Sequence, residues 1–237
     1  MTLFKQHSWS VQQQRQSIGF KRFFVLFCTV ILLGCGGNVL AQSFRFGGGI
    51  SAPFDQIVAV RFALPQGGVF VYPVPQGQNL GYHIAGRYLL SLEKGRGFTL
   101  SAGIHQFETP IFSVYDPSLP QSATSVKVSQ TFIPLGLGFE YRFLSLLILH
   151  AYIAGEGSYN LMVLQNDNVQ PTSGLQSIQT TLGRVGASAA LGVEATIFGL
   201  GADISVRYHW ANLLLREANE LNRTFVSLNV SLVLGEK

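Results

Sequence analysis

Cysteine is almost absent from this sequence. The chain of 237 residues has two, Cys28 and Cys35, and both lie within its first 41 residues. The rest of the chain therefore offers no disulfide framework, no thiolate ligand for zinc and no cysteine nucleophile.

Charge is also scarce, and it is unevenly distributed. Charged residues make up 12% of the chain, about half of the share that is usual in a soluble domain. Residues 1–41 carry four basic residues and no acidic one, so the other 12 basic residues balance all 12 acidic ones. A neutral body without a clustered basic face excludes a nucleic-acid binder. An apolar content of 47% excludes a disordered chain.

The first 41 residues have the pattern of a secretory signal. Lys21 and Arg22 form a basic region, and an apolar run from Phe23 to Leu33 follows them. That run is about half of the roughly 20 residues that a membrane-spanning helix needs. The segment therefore predicts export of the chain rather than a helical anchor.

Two processing events remain open at the end of this signal. The small residues around Ala41 predict cleavage by signal peptidase between Ala41 and Gln42, which leaves residues 42–237 as a single domain. Alternatively, the residues up to Cys35 resemble a lipoprotein box, which would leave Cys35 as an acylated first residue.

After Ala41 the chain has no run long and apolar enough for a membrane helix, and its hydropathy alternates residue by residue. Between Ala202 and Trp210, for example, apolar side chains occupy every second position. Alternation of period two is typical of strands that bury one face. It marks eight segments: 43–53, 80–92, 98–109, 128–143, 146–161, 182–197, 201–213 and 224–235.

The connections between these segments alternate in length. Short turns follow the second, fourth and sixth segments, at 93–97, 144–145 and 198–200, and long connections follow the others. Short turns at one end and long loops at the other are typical of antiparallel neighbours in an up-and-down sheet. Segments of about 11–16 residues exceed the usual strand of a soluble protein and suit a tilted membrane-crossing strand.

The two faces of the segments differ in a way that predicts which one meets lipid. One face carries large apolar side chains, with aromatic residues near the segment ends, and the other is rich in Gly and Ser. Small residues suit the narrow interior of an eight-stranded barrel, and aromatic girdles are typical of membrane boundaries. We therefore predict an all-β fold, an eight-stranded antiparallel up-and-down transmembrane β-barrel, with the last strand paired to the first.

The polar face also carries charged residues, four basic and four acidic. An arginine on the lipid side would cost about 2–4 kcal/mol near the midplane, whereas inside it can pair with carboxylates. We predict that these residues form a charge network that plugs the lumen; an ion path is the alternative. The predicted network comprises Arg87, Glu140, Arg142, Glu156, Arg184, Glu194, Asp203 and Arg207.

All four histidines after residue 41 share the polar face: His83, His105, His150 and His209. A metal site or a proton-linked switch is the functional interpretation, and a set of neutral polar core groups is the structural one. His83 and His105 lie on adjacent segments, while His150 lies near the opposite end. Two histidines without a certain carboxylate form a weak ligand set, so we predict no metal and no cofactor.

With this pattern the chain resembles the small eight-stranded outer-membrane barrels of the OmpA and OmpX type. The resemblance covers residues 42–237 and includes the stretch 132–143, FIPLGLGFEYRF. It implies a bacterial outer-membrane location, contact with membrane lipids and lipopolysaccharide, and insertion by the outer-membrane assembly machinery. One departure is the C-terminus: the family commonly ends its last strand on an aromatic residue, whereas this chain ends at 234–237 with LGEK.

A second resemblance bears on enzymatic activity. The stretch 207–212, RYHWAN, is similar to the His-Tyr-Ser-Asn stretch of outer-membrane lipid A deacylases. His209 matches the family's histidine, but Ala211 stands in place of the serine. Without that hydroxyl the serine–histidine pair is missing, so we predict that the chain is not an enzyme of this kind.

The first long connection, 54–79, contains two further alternating stretches, 56–64 and 69–74. We predict that they form a hairpin above the membrane; two more spanning strands, giving ten, are the alternative. The sequence thus predicts a non-enzymatic outer-membrane barrel that is structural or presents its long loops to an extracellular ligand. A narrow channel for small or apolar solutes and a lipid-modifying enzyme are the alternatives.

Overall fold

A computed structural model describes residues 42–54, 57–63, 69–75, 80–92, 95–109, 111–116, 119–170, 176–177, 180–216, 220 and 222–235. The predicted signal, residues 1–41, lies outside the described residues. The described residues form twelve strands: β1 (Gln42–Pro53), β2 (Ile57–Ala63), β3 (Val69–Pro75), β4 (Gly81–Ser91), β5 (Arg96–Glu108), β6 (Phe112–Asp116), β7 (Leu119–Leu146), β8 (Leu149–Gln170), β9 (Gln176–Ser177), β10 (Thr180–Ile197), β11 (Leu200–Leu214) and β12 (Thr224–Leu234). No helix among them is long and apolar enough to cross a membrane.

Eight of these strands close into an antiparallel up-and-down barrel, as the sequence predicted. They pair in the order β5, β4, β1, β12, β11, β10, β8 and β7, and β7 pairs with β5 to complete the circle. The pairing of the first strand with the last is continuous, from Phe44 opposite Leu234 to Pro53 opposite Phe225. Closure gives every strand two neighbours, which removes the unpaired edges that hydrocarbon does not tolerate.

Two strands are longer than predicted, and one turn lies elsewhere. β7 has 28 residues and β8 has 22, so they take up much of the predicted connections 110–127 and 162–181. The turn between them lies at Leu147 and Ile148, not at 144–145. The reason is that the alternation of buried and exposed side chains continues past the ends of the predicted segment. Val126 and Val128, for example, are fully buried on the inner face of β7. β6 pairs with this extension of β7.

The first long connection forms a hairpin and adds no strand to the barrel. β2 pairs with β3 from Ile57 opposite Pro75 to Ala63 opposite Val69. β2 also pairs with β9, and these three strands form a sheet separate from that of the barrel. The eight-stranded alternative is therefore correct and the ten-stranded one is wrong.

The two faces of the wall differ as the alternation predicted. Large apolar side chains such as Phe46, Ile84, Leu191 and Val230 leave about half of their surface exposed on the outside. Charged and hydroxyl side chains are buried on the inside. Glycine makes room there: a Cβ at Gly192 would lie 2.4 Å from the ring of Tyr152. An apolar band outside and a packed polar lumen inside are the arrangement that lipid surroundings require.

Candidate functional site

The inner half of the barrel, toward the short turns, is centred on Arg45. Its guanidinium donates from Nη1 and Nη2 to the two carboxylate oxygens of Glu140, at 2.6 and 2.8 Å. It also donates from Nη2 and Nε to Glu194, at 2.6 and 3.1 Å. The guanidinium carbon lies 4.5 Å from the ring centroid of Tyr152, in cation–π geometry. All three charged side chains are at most 2% exposed.

Two further arginines extend this network of ion pairs. Arg142 lies 3.5 Å from Glu140 and 3.4 Å from Glu194. Arg87 lies 3.8 Å from Glu140 and 3.2 Å from Glu156. Glu140, Glu194 and Glu156 therefore each have a cationic neighbour within 4 Å, so none of them is an isolated buried charge.

The contacts of Glu156 extend the network toward the middle of the lumen. Arg207 donates to it from Nη1 at 2.6 Å and to the hydroxyl of Ser188 at 2.8 Å. Ser101 donates to the same carboxylate oxygen of Glu156, Oε2, at 2.8 Å. Asp203 accepts a hydrogen bond from the hydroxyl of Tyr152 at 2.7 Å.

These contacts define an ion-pair layer of four arginines and four acids: Arg45, Arg87, Arg142, Arg207, Glu140, Glu156, Glu194 and Asp203. It contains seven of the eight residues that the sequence assigned to a charge network. The eighth, Arg184, lies elsewhere: its Nη2 is 2.6 Å from Glu220, in the connection between β11 and β12. Asn212 also donates to Glu220, at 3.0 Å.

Arg45 is the residue that the sequence analysis missed. It shares the inward parity of Gly47 and Gly49 within β1, so the alternation itself carried the signal. With Arg45 in place of Arg184, the layer remains neutral.

Three histidines form a second layer above the ion pairs. The ring centroids of His83 and His105 are 4.8 Å apart, and those of His105 and His209 are 5.1 Å apart. His150 does not join them; its Nδ1 lies 3.1 Å from the hydroxyl of Ser145 at the other end of the barrel. Among the described residues, no group of three or more His, Cys, Asp or Glu side chains is arranged to hold a metal ion.

The hydrogen bonds of this histidine layer fix its protons. His83 Nε2 bonds to the side-chain oxygen of Asn229, so that nitrogen must donate. Ser51 Oγ lies 3.0 Å from Nδ1 of both His83 and His105. A hydroxyl donates only once, so Ser51 donates to His83 and accepts from His105. Both nitrogens of His83 and Nδ1 of His105 thus have partners when the rings are neutral, as in a polar core.

A layer of aromatic rings closes the outer half of the lumen. We define the aromatic layer as Phe107, Phe132 and Phe225, whose ring centroids lie 5.3–5.6 Å from one another. Each ring is at most 4% exposed. Phe225 also stacks on His209 at 4.2 Å, so the aromatic and histidine layers pack directly together.

A polar cavity lies between the ion-pair layer and the histidine layer. It measures about 50 Å³ as the volume open to the centres of water molecules. Hydroxyl groups line it, among them Ser158, Ser205 and Ser231, together with Arg207 and Glu156. One water needs about 10–15 Å³ on this measure, so the cavity has room for a few waters or one small polar group.

A search of solved structures found similar chains at low sequence identity. The chain is similar to the attachment invasion locus protein Ail of Yersinia pestis, solved with the heparin analogue sucrose octasulfate, at 10% identity and a TM-score of 0.40, over 82% of this chain and 99% of that one. It is similar to the outer membrane protease OmpT from Escherichia coli, at 9% identity and a TM-score of 0.45, over 84% and 98%. It is similar to the outer membrane protein OprG from Pseudomonas aeruginosa, at 13% identity and a TM-score of 0.42, over 83% and 95%.

No protein-family model matches the sequence, and no curated protein matches it. A closed sheet, a lipid-type outer face and a packed polar lumen occur together in one class of protein. The chain folds as a small eight-stranded antiparallel β-barrel whose apolar outer face and polar lumen are those of a barrel that crosses a membrane.

Proposed function

We propose that the protein is a non-enzymatic barrel whose lumen is closed to axial passage, and which serves the envelope as a rigid structural element and as a support for extracellular loops. The observation that carries this proposal is the double closure of the lumen. The ion-pair layer fills the inner half with side chains such as Arg45 and Glu194, and the aromatic layer fills the outer half. A solute would have to break both layers to cross.

The buried hydroxyl–imidazole pairs support the absence of enzymatic activity. Ser51 lies 3.0 Å from His83, and Ser227 lies 3.0 Å from His209, within hydrogen-bonding reach of a base. Both serines, however, have no exposed surface. A nucleophile must reach the reacting atom of its substrate, and these hydroxyls lie between the aromatic layer and the ion-pair layer.

The partners that we propose for the barrel follow from its apolar outer surface and from the need to insert it into the membrane. The apolar outer band would contact outer-membrane lipids and lipopolysaccharide, and the outer-membrane assembly machinery would insert the chain. The β2–β3 hairpin, outside the barrel sheet, is the surface that we propose for an extracellular ligand.

Conductance in a planar bilayer tests the closed lumen. We expect the refolded protein to be silent at neutral pH, while a variant with Arg45→Ala and Phe225→Ala together conducts, because both layers are then breached. Each single variant should stay silent, since one layer remains. Steady conductance of the unaltered protein would instead favour the narrow-channel alternative.

A further inference from the structure

A second cavity lies at the short-turn end of the barrel, where the β4–β5 turn meets the end of β7. Its volume open to the centres of water molecules is about 170 Å³. We propose that this inner-mouth cavity binds a small carboxylate with a short apolar body, either a free acid or the C-terminal residue of a peptide. The residues that carry the argument are Leu89, Ser91, Leu92, Arg96, Glu140 and Arg142, all in its lining.

The inner-mouth cavity is closed at its deep end and open at the other. Leu89 and Glu140, at the deep end, are 2% and 1% exposed. Leu92 and Arg96, in and next to the turn, are exposed to solvent. Because the ion-pair layer closes the lumen behind Glu140, a ligand that enters from the short-turn end stops there. The cavity is therefore a binding pocket and not the mouth of a channel.

Two glycines shape this pocket. A Cβ at Gly97 would lie 2.6 Å from Cδ1 of Leu89, so a side chain at this position would press on the floor of the cavity. Gly95 has a φ of 70°, in the left-handed region that favours glycine. A Cβ there would lie 2.9 Å from the carbonyl oxygen of Arg142. The turn thus packs directly against the end of β7, next to Arg142.

Arg142 has hydrogen-bond donors to spare. Its Nη2 lies 3.4 Å from Glu194 and its Nε lies 3.5 Å from Glu140. Both distances exceed the roughly 2.7–2.9 Å of a close charge-assisted hydrogen bond. Its Nη1 donates to no other residue in the part of the chain that the structure describes. A guanidinium has five N–H donors, so Arg142 can bind a ligand without leaving the ion-pair layer.

Arg96 brings a second cation to the same pocket. It pairs with Tyr141 across the β5–β7 ladder, so it is a neighbour of Arg142. Its guanidinium makes no ion pair with any described residue. The nearby acid, Glu140, does not compete for it, because both oxygens of Glu140 accept from Arg45 at 2.6 and 2.8 Å.

The count of charges selects a monoanion. The ion-pair layer contains four arginines and four acids and is neutral. Arg96 adds one positive charge at the pocket. A ligand with a single negative charge balances that excess, whereas a dianion would leave an uncompensated charge beside Glu140.

The remaining lining selects the rest of the ligand. Leu89 and Leu92 offer apolar contact beside the two guanidinium groups. A planar carboxylate matches the donor geometry of a guanidinium. The pocket has room for about a dozen waters, which suits a carboxylate with a branched chain of a few carbon atoms. A lipid phosphodiester has no such apolar body next to its charge.

The test is an NMR titration of the refolded, ¹⁵N-labelled protein in octyl glucoside micelles with 3-methylbutanoate. The proposal predicts saturable shifts of the amide signals of Gly95 and Gly97. The signal of Gly49, beside His83 in the histidine layer, should not move. A titration without saturable shifts at Gly95 and Gly97 would overturn the site.

Two analogues test the chemical class. The neutral 3-methylbutanamide has nearly the same shape, and its binding should be at least about tenfold weaker, because it loses the charge-assisted hydrogen bonds. Dimethyl phosphate carries the single charge of a lipid phosphodiester without the apolar body and should also bind more weakly. Equal affinity for the amide, or tighter binding of dimethyl phosphate, would refute the choice of a carboxylate.

Substituting Arg96 tests the second cation. Arg96→Gln should weaken binding of 3-methylbutanoate by about tenfold. Arg216→Gln is the matched control, because it makes the same change of net charge at an exposed position of the opposite end, and its affinity should equal that of the unaltered protein. Equal weakening in both variants would mean that net charge, not this pocket, attracts the acid.

Filling the pocket gives an independent variant. Ser91→Leu places a larger side chain in the lining and should abolish the shifts at Gly97. Ser145→Leu is its control, because Ser145 is exposed in β7 beside the next short turn and does not line the pocket. The shift between folded and unfolded bands on a gel shows that each variant is folded. Full binding by folded Ser91→Leu would contradict the site.

A peptide probe separates the two sources of the carboxylate. N-acetyl-glycyl-leucine carries its carboxylate on a C-terminal residue with a branched side chain. Tighter binding than that of 3-methylbutanoate would support the end of a peptide, and weaker binding would support a free acid. None of these readouts depends on conductance, so failure of this site is distinguishable from failure of the closed-lumen proposal.

Discussion

The two halves of the lumen are closed by different kinds of interaction. The inner half depends on charge: Arg45 is shared between Glu140 and Glu194, all three nearly inaccessible. The outer half depends on apolar contact, with Phe225 packed between the other aromatic rings and His209.

The difference shows that each half is sensitive to a different kind of substitution. Removing one partner of a buried ion pair leaves an uncompensated charge, which costs more than the pair contributed. Removing an apolar ring leaves a cavity, whose cost depends on how far the neighbours relax. Variants in each half should therefore separate the two forms of closure.

The largest effect is expected for Arg45→Met. It leaves the buried Glu140 and Glu194 with the longer contacts to Arg142 and Arg87 in place of the close ones to Arg45, and we expect the free energy of unfolding to fall by about 3–5 kcal/mol. The unfolding temperature in detergent, read from the shift between folded and unfolded bands on a gel, measures it. Arg96→Met is the matched control, because Arg96 is exposed at the same end of the barrel. Equal losses in the two variants would show that Arg45 does not hold the layer together.

Phe225→Ala should have the next largest effect. Truncating this ring removes contacts with Phe107, Phe132 and His209. We expect the free energy of unfolding to fall by about 3 kcal/mol. The same gel assay applies, with Phe46→Ala as the control. Phe46 is 54% exposed on the outer face, so its loss should cost little. A larger loss at Phe46 would contradict the assignment of the apolar core to the lumen.

Gln130→Leu should have a smaller effect, and of the opposite sign. Gln130 is 2% exposed, and in the part of the chain that the structure describes neither its amide nitrogen nor its amide oxygen has a hydrogen-bond partner. Leucine removes this unsatisfied group, so we expect the free energy of unfolding to rise by about 1 kcal/mol. Asn160→Leu is the contrast, because Asn160 donates to the carbonyl of Ala211 at 2.6 Å and its replacement should destabilise. A loss in both variants would mean that Gln130 has a partner.

The alternation of side chains predicted the architecture well, because period two determines which face each residue occupies. It assigned Arg87, Glu140 and Glu156 to the lumen, where they meet. It also predicted the pairing of first and last strands, since an open edge is excluded in lipid.

Parity alone did not reveal the partners within the lumen. Arg184 and Arg207 both point inward, yet Arg184 bonds to Glu220 in a connection and Arg207 to Glu156 across the barrel. Which residues meet depends on the stagger of the strands, and that stagger was uncertain because the β7–β8 turn lies at Leu147, three residues beyond the predicted one. The aromatic layer was missed for the same reason, since its three rings come from three strands, β5, β7 and β12.

The most direct test of the account asks which side of the wall meets lipid. Spin labels would be placed singly at Val206 and Arg207, neighbours on β11 that are 48% and 5% exposed. Oxygen dissolves in hydrocarbon, so the account predicts that it relaxes the label at Val206 strongly and the label at Arg207 weakly. Strong relaxation at Arg207 with protection at Val206 would mean that the charged face meets lipid, which contradicts the account.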